Sequence, residues 1–346
     1  MITNELLEAI LRTLPRLTIG LVGDLFLDRY LHLVPGSQEL SIETGLEAYQ
    51  IERVRNSPGA LGTVMNNLAA LGVGLLVPVT AIGDDGHGYD LVREVRKLSA
   101  DPTNILCLPD RLTPTYTKPM RQAEDGAWRE LNRLDVRTRS PLSPAATAEV
   151  CRRVEEVFRT SDGLIVLDQL VDENYGVVNA EVRDVIDRLA RREPNKLIYV
   201  DSRRFLGRFS IGTLKGNRLE VLTATGAPAE DAAELPVRQS LAALSHKTSR
   251  AAFCTMGERG ILVARPGQEP SLVAACSVSG PIDIVGAGDA ATSGIVTALL
   301  SGASEWEAAA FGNLVASITI QQLGTTGTAT PEQVRQRHQQ ISKAAL

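Results

Sequence analysis

Short apolar runs alternate with longer helix-forming stretches along most of the chain, and this alternation constrains the fold more than any other feature. Leu17–Val22, Leu75–Ile82, Gly163–Leu167, Lys196–Val200, Leu219–Leu222, Ala251–Cys254 and Ile261–Ala264 read as strands. Between them, Thr63–Leu71, Gly88–Ser99, Ala145–Thr160 and Asn179–Arg191 carry helical patterns. Parallel strands need a long crossover to become neighbours, and a helix is the usual one. The alternation therefore predicts an α/β fold: a mostly parallel sheet with helices on both faces. After Gly288 the pattern turns helical, through Ala290–Leu300, Glu305–Leu323 and Pro331–Lys343.

Two regions break this rhythm. Residues 30–57 and 112–135 hold short polar, β-prone pieces: Glu47–Val54, Thr115–Met120 and Trp128–Arg133. They are expected to pair as a small sheet projecting from the main body, a β lid over the open end of the α/β unit that keeps water from a reaction. The chain shows no internal repeat and no low-complexity linker. Its 346 residues are read as one domain, 1–346, with that lid.

Composition removes several classes of function. Net charge is −5 with no long basic run, so the footprint of a nucleic-acid binder is missing. The first residues, MITNELLEAILRTLPRL, form an amphipathic helical pattern rather than a secretory leader. No segment approaches the roughly 20 apolar residues that span a bilayer. Cys107, Cys151, Cys254 and Cys276 have no metal or disulfide spacing, which suits reduced thiols in a cytoplasmic protein. The four histidines have no ligand spacing either.

The stretch Asp283-Ile-Val-Gly-Ala-Gly-Asp289 runs straight into a helical pattern. Its glycines allow tight backbone geometry, and a helix start offers unpaired N–H groups and a positive dipole end to an anion. Asp289 is either a helix cap or an acid–base group held at that anion site. Asn217 and Glu220 are three residues apart, a spacing that shares one helical face and suits a hydrated Mg²⁺, or else a solvated helix start. Thr255, Gly257 and Gly260 form a glycine turn between two apolar strands, which by itself reads as a hairpin.

Together and in this order, these segments resemble the PfkB/ribokinase family of carbohydrate kinases. DIVGAGD resembles the family's DTxGAGD signature, with Ile284 in place of Thr. Asn217 and Glu220 match its NxxE motif, and Thr255, Gly257 and Gly260 its T-x-G-x-x-G turn. Gly23-Asp24 follows the first strand as the family's substrate-contacting pair does. Pro58-Gly59-Ala60-Leu-Gly62-Thr63, running to Asn67 and Gly72, resembles the PGGAxxN…LG signature. Within the family the heptose-phosphate kinase branch is nearest. It is matched by GDLFLDRY at 23–30, by Pro114-Thr-Tyr-Thr-Lys118 and by the Leu323-Gly-Thr segment. The nucleotidyltransferase HxGH motif of that branch's bifunctional members is missing from this sequence, so no nucleotide-sugar synthesis is expected of it.

The resemblance implies a ribokinase-like fold and transfer of the ATP γ-phosphoryl group to a sugar or sugar-phosphate hydroxyl. Asp289 would be the base, and Gly286, Ala287 and Gly288 the anion hole. Lys215, Asn217, Thr255, Gly257, Gly260 and Asn313 would contact ATP, with Mg²⁺ held near Asn217 and Glu220 through water. Asp24, Asp28, Gly59, Thr63, Lys118 and Arg121 would contact the acceptor. Lys118 and Arg121 would read a phosphate on it if a bulge at Pro119 turned them to one side. The resemblance leaves room for monovalent-cation activation and for a homodimer through the lid. Two departures alter the acceptor pocket: Ala60 replaces the signature's second glycine, and Thr63 stands where the family has Asn. The segment Asp168-Gln-Leu-Val-Asp also lacks the lysine of the heptose branch's D-Y-x-K-G. A nucleotide-binding pseudokinase is the alternative these changes favour. A nucleoside kinase would want aromatic stacking surfaces, and aromatics are only 4% of the chain.

Overall fold

The computed structural model describes residues 2–228 and 233–344 of the 346. The chain opens with α1 (Asn4–Thr13), capped by the Thr3 hydroxyl, which accepts from the Leu6 N–H. Strand β1 (Thr18–Gly23) follows, and after one residue the chain leaves the body in β2 (Leu25–Leu33) and β3 (Ile51–Ala60). It returns through α2 (Leu61–Leu71), β4 (Leu75–Gly83), α3 (Gly86–Val95) and β5 (Ile105–Leu108). A second excursion makes β6 (Thr115–Gln122), β7 (Trp128–Glu130) and β8 (Leu134–Val136). Next come α4 (Pro144–Thr160), β9 (Gly163–Asp168), α5 (Ala180–Arg192), β10 (Leu197–Ser202) and β11 (Thr213–Asn217). The chain continues through α6 (Arg218–Thr225), α7 (Glu234–Thr248), β12 (Ala252–Thr255), β13 (Gly260–Ala264) and β14 (Ser271–Ala274). Helices α8 (Ala287–Leu300), α9 (Glu305–Thr319) and α10 (Pro331–Ala344) close it.

A nine-stranded sheet runs β14-β13-β12-β11-β10-β9-β1-β4-β5, parallel from β12 to β5, with β13 antiparallel to both its neighbours. Its strands are apolar at nearly every position because both faces are covered. Ile19 and Leu21 of β1, with Ile165 and Leu167 of β9, pack in one core with α1, α2, α8 and α9. Val22, Leu164 and Val166 point the other way, into a second core with α4, α5, α6 and α7. From β1 the chain builds β4 and β5 on one side and β9 onward on the other. A crevice at the carboxyl ends of β1 and β9 results, the usual ligand position in such sheets. Among the described residues no helix is long and apolar enough to cross a membrane.

Both excursions feed a separate five-stranded sheet, β3-β2-β6-β7 with β8 paired to β6. It begins at Leu25, earlier than residue 30, because the apolar run after Asp24 continues as β2 instead of ending in a loop. Several expected elements differ in their bounds or type, among them the strand expected over Glu47–Val54, which spans Ile51–Ala60, and the one over Trp128–Arg133, which ends at Glu130. Leu219–Leu222 lies in α6, since four apolar-rich residues do not fix a period and the Asn217/Glu220 cap starts a helix there. The helix expected to reach Leu323 ends at Thr319, and the one expected over Gly88–Ser99 spans Gly86–Val95. Ala60, the residue in the glycine position, is the N-cap of α2 at φ 53°, ψ −114°, a conformation costly for any residue with a Cβ.

Candidate active site

The carboxyl ends of β9, β10 and β11 each carry polar residues: Asp168, Asp201 followed by Ser202, and Asn217. Lys215, also on β11, is buried, and its Nζ donates to Asp201 Oδ2 at 2.6 Å. Thr292 of α8 donates to the same oxygen at 3.2 Å, which ties the sheet to the helix above it. Burial opposes the charge of Lys215, but Asp201, Glu220 and Asp289 around it outweigh that and raise its pKa.

The GAGD loop delivers Asp289 to this cluster. Gly286 takes φ 81°, where glycine is at ease, and is the N-cap of α8. Asp289 therefore stands at the third helical position and does not cap the helix. Its side chain is partly buried and makes no hydrogen bond or ion pair among the described residues. Burial, then the Asp201 charge, push its pKa up to about 7 against the pull of Lys215 and Arg203. Lys215 Nζ would lie 3.3 Å from a Cβ placed on Gly288, so the ammonium sits directly under the loop. The Ala287 N–H donates to Ile284 O at 3.1 Å, which takes one member of the expected anion hole in this conformation. Ile284 and Val285 are exposed at the loop's tip.

Asn217 and Glu220 cap each other's backbone: Asn217 Oδ1 accepts from Glu220 N at 3.0 Å and Glu220 Oε2 from Asn217 N at 2.7 Å. That is their structural use, and it leaves Glu220 Oε1 as the open ligand atom. Among the described residues no group of three or more acidic, histidine or cysteine side chains could enclose a metal. The donor set fits a Mg²⁺ that keeps its waters and takes phosphate oxygens, and does not fit one caged by protein. Burial, then Asp201, raise the Glu220 pKa. Thr255 lies opposite Asn217 on β12 and opens the β12–β13 hairpin, whose turn holds Gly257 at φ 64° and Gly260 at φ 111°. A Cβ on Gly260 would meet Val273 O at 2.1 Å, so this glycine admits β14 to the sheet edge. Asn313 spends its amide on that same edge, donating to Val273 O at 3.0 Å and Ala274 O at 3.1 Å. A direct adenine contact through its Nδ2 does not fit those bonds.

The acceptor candidates fall into two groups. Asp24 is buried after β1, its Oδ1 accepting from Val177 N at 2.9 Å and Oδ2 from Gln169 N at 3.4 Å. Burial raises its pKa, against those N–H groups and Arg111. Beside it, burial and the Asp24 charge push Asp168 up to about 7, although Ser202 donates to it at 2.9 Å. Thr63 borders the GAGD loop, its Cγ2 3.6 Å from where a Gly286 Cβ would be. On the second sheet, Asp28 accepts from Lys118 at 2.9 Å, and a Cβ on Gly59 would lie 2.3 Å from Asp28 Oδ2. Lys118 also donates to Tyr30 Oη at 3.3 Å.

Arg121 does not join Lys118. The β2–β6 register is continuous from Thr115 to Met120, so no bulge occurs at Pro119 and the two cations face opposite sides of the strand. Arg121 instead pairs with Glu47 at the rim and lies over the Tyr49 ring. Asp201 and Asp168 are the site residues that sequence reading did not single out. Their local signal is an acid at or next to the end of a strand of a parallel sheet, and Asp168 also opens the segment set against D-Y-x-K-G.

Residues 210–333 match the pfkB family carbohydrate kinases. Among curated proteins, the chain is similar to the bifunctional protein HldE of Trichlorobacter lovleyi, 25% identical over 340 residues, covering 96% of this chain and 65% of that protein. It is 29% identical to HldE of Rhodopseudomonas palustris over 334 residues, covering 95% and 65%, respectively. The chain thus spans about 65% of the length of these relatives. Among solved structures, an Arabidopsis thaliana ribokinase complexed with ribose and ATP superposes with TM-score 0.66 at 17% identity, covering 93% of this chain and 98% of that one. Escherichia coli phosphofructokinase-2 with substrates and products gives 0.66 at 16%, covering 94% and 99%. The fold is ribokinase-like.

Proposed function

From a chain that carries a pfkB family carbohydrate kinase domain at residues 210–333, we propose ATP-dependent phosphorylation of a sugar or sugar-phosphate hydroxyl, with Asp289 as the general base. The observation that carries this reading is the Asp289 carboxylate: partly buried, without a hydrogen-bond partner among the described residues, and pushed up to about 7 beside Lys215 and Asp201. A base with a pKa near working pH is well matched to removing a hydroxyl proton.

In the reaction, the acceptor oxygen forms a bond to the γ-phosphorus as the bond to the β-phosphate oxygen breaks, and the hydroxyl proton passes to Asp289. Charge grows on the transferring group and the leaving phosphate. Lys215 beneath Gly288, and the N-terminal dipole of α8, are positioned to neutralise it. Mg²⁺, held through water at Glu220, would supply further neutralisation of the phosphates. Asp201 keeps Lys215 charged and in place. Asp24 and Asp168 supply acceptors for sugar hydroxyls at the crevice, while Asp28 supplies an acceptor and Lys118 a donor from the second sheet, which acts as the lid. Thr255 and the β12–β13 turn border the nucleotide. The reaction belongs in the cytoplasm, where ATP is made. The same reading pairs two copies through the edge strand β3, which exposes Ile51 and Val54 near Leu40, Ile42 and Leu46. A monomer by light scattering would remove that last part.

The test is ADP release across a panel of sugars and sugar monophosphates, with wild type and Asp289→Asn. Turnover by wild type that falls by at least about 10³-fold in the variant, with nucleotide affinity kept within a few-fold, is the expected result. Wild-type ADP release with no acceptor above background would sink the kinase reading in favour of a nucleotide binder.

A further inference from the structure

One cavity away from Asp289 gathers cations. It measures about 480 Å³ and is lined by Arg133, Asp135, Arg137 and Arg139 on one side and by Asp172 and Tyr175 of the β9–α5 loop on the other. Register places Asp135, at the centre of this cluster, on the face of the second sheet that carries Asp28, and Arg137 and Arg139 follow it in the β8–α4 connection. Asp28 lies opposite Tyr116, and Tyr116 opposite Asp135, and facing residues on neighbouring strands share a side. Arg133 lies over the Tyr116 ring, 4.4 Å from its centre. The loop wall leads to the crevice: Tyr175 O accepts from Arg111 Nη2 at 3.2 Å, and two residues on, Val177 N–H holds Asp24.

The charges are not balanced within the cavity. Asp135 accepts from Arg133 Nε at 2.6 Å and Nη2 at 2.9 Å, and from Arg137 Nη2 at 3.2 Å. Arg139 has no hydrogen bond or ion pair among the described residues. Guanidinium groups bind phosphate oxygens through paired N–H donors, better than an ammonium can. We infer that this cavity binds a phosphomonoester through Arg137 and Arg139, with Asp135 orienting Arg137 and Arg133. The identity of the ligand rests on the kinase reading: it is a phosphate already carried by the acceptor, at the end remote from the reacting hydroxyl. The cavity takes over the role that sequence spacing gave to Lys118 and Arg121.

Calorimetric titration with inorganic phosphate, in protein whose nucleotide site is filled with a non-hydrolysable ATP analogue, tests the site directly. Arg137 and Arg139 are exposed, so Arg137→Ala and Arg139→Ala are expected to fold, as their melting curves will show. Each lost charge-assisted contact weakens phosphate binding by about 10- to 150-fold. No phosphate binding to wild type at millimolar concentration, or equal binding in both variants, overturns the site whether or not the chain phosphorylates sugars. Kinetics then separates the two sources of phosphate. If the acceptor carries it, KM for sugar monophosphates rises more in the variants than KM for the matching free sugars. Equal rises, with free phosphate changing the rate on free sugars, would overturn the acceptor assignment and leave an effector site. Absence of ADP release with every sugar would defeat the kinase reading, while the titration still decides the cavity.

Discussion

At the scale of residues, Asp289 shows how surroundings turn a common side chain into a base, and its titration gives two predictions. Its folded pKa, about 7, lies above the ordinary carboxylate value of 3.8 because burial and Asp201 penalise the charge. Phosphoryl transfer needs the ionised form, so kcat is expected to climb as pH rises through about 7; a flat profile from about pH 5.5 to 8 would count against the base assignment. Stability should move the other way. Between the unfolded and folded pKa values the folded state holds more protons, so raising pH through this window destabilises it. Asp289→Asn removes that penalty. The variant should melt higher than wild type near about pH 8, with the gap closing towards about pH 5. Asp168, also pushed up to about 7, adds a fall of the same sign that persists in the variant. How far the site was legible follows the same lines. The GAGD segment could be read because a glycine turn running into a helix is a local pattern. Asp201 and Asp168 could not, since their meaning comes from side chains on neighbouring strands, Lys215 14 residues from Asp201 and Ser202 34 residues from Asp168.

Elements were legible where the period was long and ambiguous where it was short. β1, β4 and β9 have runs of buried apolar residues bounded by turns, and their places in the parallel sheet follow. The run at Leu219–Leu222 reads as a strand but is helical, while the strand itself, Thr-Leu-Lys-Gly-Asn, is disguised by a buried lysine and a glycine. The burial of Lys215 is intelligible only once Asp201 is known to lie opposite it in register. At the β3–α2 junction the sequence departure has a measurable consequence. Ala60 sits at φ 53°, so Ala60→Gly is expected to stabilise the fold by about 1 kcal/mol, net of glycine's larger unfolded-state entropy. Denaturant titration would register this as a higher midpoint at unchanged slope, and a lower midpoint would contradict the strain. Along β6, register separates the two cations. Lys118→Ala frees Asp28 from the cation it pairs with and should lower kcat/KM by about tenfold or more, whereas Arg121→Ala, at the exposed rim, should change it by less than about twofold. Equal losses in the two variants would mean that the strand's faces are not used differently.

At the scale of the molecule, the groups proposed for catalysis are divided between two sheets, which makes their relative position part of the mechanism. Asp289, Lys215 and Asp201 belong to the nine-stranded body, Asp28 and Lys118 to the second sheet, and the arginine cavity lies between β8 with its following connection and the β9–α5 loop of the body. Only Asp24 separates β1 from β2, and Ala60 passes directly into α2, so these two joints are short and stiff. The outer crossings, from β5 to β6 and from β8 to α4, are longer and free of secondary structure. Among the described residues one ion pair braces the second sheet against the body: Arg29 of β2 to Asp90 of α3 at 2.6 Å, on the face away from Asp28. Partly exposed pairs of this kind are worth on the order of 1 kcal/mol, enough to bias a hinge and too little to lock it. The second sheet has few buried apolar contacts of its own, and exposed Ile51, Val54 and Leu134 lie along its strands. Regions built that way open at lower free energy than a core does. Hydrogen exchange is therefore expected to be faster in β2, β3 and β6 than in β1, β9 and β10 of the free protein. It should slow in the second sheet when an ATP analogue and a phosphorylated acceptor are both bound to Asp289→Asn. Asp90→Ala should speed exchange in β2 by about two- to fivefold without altering the body strands, and raise the acceptor KM more than it lowers kcat. If ligands protect the nine-stranded body and leave β2, β3 and β6 unchanged, the second sheet does not close over the substrate, and the division of the site between two sheets loses its mechanistic meaning.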